Sequence, residues 1–73
     1  MSEINKMAKN LDYIKIEDNK MFTKYKSNKN YAEIWFNKID KTFCCCNNKN
    51  EAINVSMKEL KIIIKYCEEH NWL

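Results

Sequence analysis

The chain has 73 residues and a formal net charge of +3, with 13 lysines set against ten acidic side chains and no glycine, proline or arginine. A chain this short forms one domain with a small core, which excludes a deep internal active site, and without glycine a phosphate-binding loop is excluded too. The mild positive charge permits an acidic partner without requiring one, and the abundance of Lys, Asn and Ile follows AT-rich codon usage, so it is discounted as a mark of nucleic-acid binding.

Residues 1–11 have the spacing of a short helix. Ser2 can cap it, Glu3 suits its first turn, and Ile4, Met7, Ala8 and Leu11 fall at i, i+3, i+4 and i+7. The alternative is a disordered arm carrying Lys6 and Lys9, because ten residues are marginal as an isolated helix.

Residues 12–54 read as an antiparallel sheet of about four strands. Residues 13–17 alternate Ile14 and Ile16 against Tyr13, Lys15 and Glu17. Asp18-Asn19-Lys20 is the first turn, with Asn19 standing where a tight hairpin prefers glycine because Asn tolerates a left-handed backbone. The return strand, 21–26, sets Phe22 against Met21, Thr23 and Tyr25. A second turn at 27–30 leads to 31–37, where Ala32, Ile34 and Phe36 alternate with Tyr31, Glu33 and Trp35. A third turn precedes the strand 42–46, and residues 52–54 extend the sheet before the last element. Ile14, Ile16, Ala32, Ile34 and Phe36 are expected to face the helix.

That helix, residues 56–70, is the best-specified element. Ser56 and Glu59 form a capping box, with Val55 and Leu60 placed as a hydrophobic staple. Met57, Leu60, Ile64 and Cys67, widened by Ile63, make the apolar stripe expected to cover the sheet. Ile62 and Tyr66 fall on the opposite side, which points to self-association or to a lightly exposed pair. Trp72 and Leu73 are apolar at a terminus, which suggests docking. The whole, residues 1–73, is one α+β domain: a short N-terminal helix, four antiparallel strands, and one C-terminal amphipathic helix packed on the sheet.

The cysteines carry little chemistry. Cys44, Cys45 and Cys46 are adjacent, so at most one of them could bridge to Cys67, which leaves free thiols. The N-terminus lacks the apolar core of a signal peptide, and no run of about 18 apolar residues spans a membrane. A cytoplasmic setting with reduced thiols, no membrane partner and no cofactor is expected. Cys44, Cys46, Cys67 and His70 are four residues that could ligate zinc. Yet C-x-C is not the usual chelating pair, and buried free cysteines ordinarily behave as small hydrophobes. Cys67 and His70 at i and i+3 could form a nucleophile pair, but nothing in the sequence builds an oxyanion hole. No catalytic residues are assigned, and the chain is expected not to be an enzyme.

If Ile14, Ile34 and Phe36 face the helix, then Tyr13, Lys15, Tyr25, Tyr31 and Trp35 form an outward binding surface, with Glu33 among them. Aromatic rings beside cations can hold single-stranded nucleic acid, and Tyr and Trp also anchor protein interfaces. Several short antiparallel strands followed by a capped helix, joined through Ile53-Asn54-Val55-Ser56 into 57–69, resemble the positive-cofactor-four-like single-stranded-DNA-binding fold. The resemblance implies a homodimer joined through the helices, with sheets that bind single-stranded DNA, and would give Ile62 and Tyr66 a purpose. The basic, glycine-containing strand pattern of that family is absent here.

A tiny, motif-poor chain of AT-rich composition with an aromatic surface also looks like a phage or mobile-element accessory protein. The expectation is a non-enzymatic binding protein: a stoichiometric inhibitor of a host protein or nucleoprotein, in the manner of anti-CRISPR proteins. The alternative is a single-stranded nucleic-acid-binding homodimer using the aromatic sheet face.

Overall fold

The computed structural model describes residues 3–73. The elements run α1 (Glu3–Asn10), β1 (Tyr13–Asp18), β2 (Phe22–Ser27), β3 (Glu33–Asn37), β4 (Thr42–Cys46) and α2 (Met57–Glu69). The four strands form one antiparallel sheet in the order β1-β2-β3-β4. Both helices lie on one side of it, so the domain is an α+β sandwich of two layers whose other sheet face is uncovered. The expected Ser2 cap lies outside the described residues.

The turns show how a chain without glycine or proline reverses direction. Asn19, Asn37 and Asn47 each accept two backbone amides through Oδ1: those of Met21 and Phe22, of Ile39 and Asp40, and of Lys49 and Glu51. Side-chain acceptors of this kind imitate a backbone turn. Asn19 thus works through its side chain, and the left-handed conformation expected of it falls elsewhere, at Asp12, Tyr31, Lys41, Asn50 and Asn71. Asn71 closes α2: its amide donates to the Glu68 carbonyl, and the Trp72 amide donates to the Cys67 carbonyl, the paired bonds of a Schellman motif with Asn in the glycine position.

The start of α2 follows its capping box. The Ser56 amide donates to Glu59 Oε1 at 3.0 Å and the Ser56 hydroxyl bonds the same oxygen. Val55, expected to staple, is exposed, and Ile53 is the residue that packs on the core here. Ile53 donates to the Cys45 carbonyl, and Ala52 bridges Cys46, so the segment after β4 partly covers the edge of that strand.

Two expectations about which side faces inward are corrected. On β3, Ile34 and Phe36 are buried as expected. On β1 and β2 the polarity is reversed: Tyr13 and Tyr25 are each 1 % exposed, while Ile14 and Ile16 are 44 % and 46 % exposed. The registers Tyr13↔Ser27 and Lys15↔Tyr25 place those residues on the helix side, and Ile14↔Lys26 and Lys24↔Trp35 place theirs on the open side, with a bulge between Lys15 and Glu17. The reason lies in β2. Lys24 and Lys26 share a face with Phe22, and burying two ammonium groups costs far more than exposing a phenyl ring. Thr23, Tyr25 and Ser27 therefore turn inward.

On α2 the buried residues are Glu59, Ile62, Ile63 and Tyr66. Ile62 and Tyr66, expected to mediate self-association, are interior. Tyr66 stacks on Phe36 with ring centroids 3.8 Å apart, and Trp72 meets Tyr66 edge-on at 5.3 Å. The helix was free to turn this way because its buried polar atoms find partners. The Tyr13 hydroxyl donates to Glu59 Oε2 at 2.9 Å, Tyr25 donates to Asn5 Oδ1 at 2.8 Å, and Tyr66 shares a 2.8 Å bond with Thr23. Among the described residues no buried side-chain polar atom lacks a partner.

Candidate interaction surfaces

The open sheet face is built from the outward residues of each strand. Ile14 and Glu17 come from β1, Phe22, Lys24 and Lys26 from β2, Glu33 and Trp35 from β3, and Cys44 from β4, with Trp35 paired to Lys24 on one side and Cys44 on the other, while Ile16 is the exposed, unpaired residue of the β1 bulge. Of the binding surface expected from sequence, Trp35 belongs here and Tyr31 projects from the turn before β3, exposed, with Lys26 Nζ 5.6 Å from its ring centre. Tyr13 and Tyr25 belong to the core, where burial pushes both phenols well above their ordinary range. Lys15 sits at the edge of the helix side, in an ion pair with Asp18 at 3.3 Å. Ile14 and Phe22 are the residues of this face that sequence reasoning missed. The signal was present in the lysines that flank Phe22.

The electrostatics of the face are balanced. Lys24 lies over the Trp35 ring at 3.8 Å and is 3.4 Å from Glu17, an arrangement in which a cation covers the negative face of the indole. The indole N–H donates to Glu33 Oε1 at 2.8 Å. Phe22 meets Trp35 edge-on at 6.4 Å. Trp35 is therefore a fixed, half-buried ring with one face already occupied.

The second surface is the flank of α2 that sequence reasoning assigned to the core. Met57 is 68 % and Ile64 44 % exposed, with Leu60 and Cys67 half-buried between them and the interior. The helix thus carries apolar residues on two sides: Cys67 packs on the margin of the core, while Met57 and Ile64 are left exposed.

The four residues considered for zinc do not converge. Cys44 and Cys46 alternate with inward Cys45 and so belong to the open sheet face, whereas Cys67 is on α2 and His70 caps that helix's C-terminus, across the sheet. His70 stacks on Tyr66 with centroids 3.9 Å apart, and its Nδ1 is 3.0 Å from the Tyr66 carbonyl oxygen. Among the described residues no three His, Cys, Asp or Glu side chains gather in a metal-binding arrangement. All four cysteines are free; Cys44 is exposed, while burial pushes the Cys45 thiol up to about 11. No described helix is long and apolar enough to cross a membrane.

Comparison with known proteins finds no match to this chain among family models, curated proteins or solved structures.

Proposed function

We propose that this chain is a non-enzymatic binding protein that engages a protein partner through the uncovered sheet face and acts by occluding that partner's surface. The observation that carries this reading is the face itself. A rigid sheet presents Ile14, Phe22 and Trp35 with no layer over them, rimmed by Lys24, Lys26, Glu17 and Glu33, which is the apolar centre and mixed-charge rim of a protein interface. The size and AT-rich composition support the narrower reading, a stoichiometric inhibitor of a host protein or nucleoprotein of the phage or mobile-element kind. The single-stranded nucleic-acid reading draws less support: base stacking needs a free ring face, and Lys24 occupies that of Trp35, with two carboxylates close by.

The test is affinity purification against a host extract, followed by titration of the purified partner into wild-type protein and variants. Ile14→Glu and Trp35→Ala each reduce partner affinity about tenfold or more, the loss expected at an interface anchor, while circular dichroism reports an unchanged fold. A partner that binds both variants as tightly as wild type overturns the assignment of this face. A salt-sensitive change in tryptophan fluorescence with a single-stranded oligonucleotide, abolished in Trp35→Ala, would instead establish the nucleic-acid reading.

A further inference from the structure

The exposed flank of α2 has a charge pattern that selects its occupant. Scattered surface apolar residues are ordinary, but Met57, Leu60, Ile64 and Cys67 recur at three- and four-residue intervals along one flank, the spacing of a helix-packing stripe. They extend over roughly 16 Å of helix. Lys61 and Glu68 border the same side of this stripe, two helical turns apart, and both are exposed. Among the described residues neither forms an ion pair, whereas Lys65, on the flank facing α1, is held by Glu3 at 2.6 Å.

We propose that the α2 flank pairs with the same flank of a second copy in an antiparallel, two-fold arrangement centred beside Ile64. A two-fold axis there keeps each helix's Lys61–Glu68 side on the same side of the interface. It sets Lys61 of each copy opposite Glu68 of the other, so the pattern is complementary to itself twice over. A parallel two-fold instead carries the two Lys61–Glu68 sides to opposite sides of the interface, where neither charge meets its complement. Ile62 and Tyr66 take no part, because they are spent in the core. The pairing leaves the open sheet face of each copy free, since that face lies across the sheet from α2, and so does not rest on the reading given above. A stripe this short falls below the roughly 800 Å² per partner of a standard interface, so the dimer is of micromolar strength.

Sedimentation equilibrium over about 5 to 500 µM brackets that strength. The expected result is a mass that rises with concentration from 8.9 kDa toward twice that value. Ile64→Glu keeps the monomer mass throughout, and because Ile64 is outside the core its circular dichroism matches wild type. Lys61→Glu and Glu68→Lys each weaken the dimer about tenfold, and the double exchange returns it to within about threefold of wild type. A monomer mass at every concentration, a dimer that survives Ile64→Glu, or a double exchange no tighter than its single parents each overturns the proposal.

Discussion

Replacing Glu59 with alanine removes the acceptor of three hydrogen bonds at once: those from the Ser56 amide, the Ser56 hydroxyl and the Tyr13 hydroxyl. The Tyr13 hydroxyl is then stranded in the core, at about 1–3 kcal/mol. Loss of the capping box adds about 1 kcal/mol, and loss of a carboxylate from the first turn of α2 adds roughly 0.3–1 kcal/mol. The sum, about 3 kcal/mol, is a large share of the roughly 4–11 kcal/mol that a domain of this length holds. It corresponds to a fall in Tm of about 12–24 °C. Thermal unfolding followed by far-UV circular dichroism reads this directly. A cycle with Tyr13→Phe separates the terms, because removing the hydroxyl in the Glu59→Ala background restores part of the loss. A fall of less than about 4 °C would show that the buried carboxylate and its tyrosine are not coupled as the geometry requires.

The pH dependence has a fixed sign. Burial alone would raise the Glu59 carboxyl, but the Ser56 and Tyr13 bonds outweigh it and hold the group below its ordinary value of 4.5. The folded state thus binds the proton less readily than the unfolded state. The stabilisation is complete above the unfolded carboxylate range and is lost as pH falls through the folded value. Asp18, held low chiefly by Lys38, contributes in the same direction.

Other consequences are open to equally simple tests. Ile62→Ala empties a fully buried site on α2 and should cost about 2–5 kcal/mol, whereas Ile64→Ala should cost under about 1 kcal/mol; equal melting temperatures would show that the helix faces are assigned the wrong way round. Lys41→Gly should stabilise the fold by roughly 0.5–1 kcal/mol, because Lys41 has φ 57° and glycine takes that conformation without the Cβ penalty; a lower denaturation midpoint would contradict this. In native protein a disulfide reagent should modify Cys44 first and Cys45 last, the reactivity of the latter suppressed by burial, as mass spectrometry of a time course would show.

Local signals were legible in the sequence, and global orientation was only partly so. The capping box of α2, the four strands and the connecting turns depend on residues within a few positions of one another. Which side of an element faces the core depends on its neighbours. Ile14 and Ile16 outrank Tyr13 in hydrophobicity, yet the pairing with Ser27 and Tyr25 puts the tyrosines inside, where their hydroxyls reach Glu59 and Asn5. On α2 the apolar residues cover so much of the circumference that periodicity alone could not choose a side. Glu59, placed from the sequence in the capping box, also faces inward because Tyr13 and Ser56 satisfy it. The lysines of β2 were the one sequence-level clue to the correct polarity, and they imply Tyr25 inside and Trp35 outside. With Tyr13 and Tyr25 moved inward, the expected binding surface kept Tyr31 and Trp35 and gained Ile14 and Phe22.

The asparagine-made turns have a kinetic consequence. With no proline in the chain, no X–Pro bond has to isomerise before the strands can pair, and the slow refolding phase of tens of seconds that such bonds impose has no source. Every strand pairs only with its neighbour in sequence, so each reversal closes a short loop and the entropy of long-range closure is largely avoided. Refolding from denaturant, followed by stopped-flow fluorescence, should therefore finish in a single fast phase under reducing conditions. A molecule built this way reaches its binding-ready shape almost as soon as the last residues of α2 are available to cover the sheet.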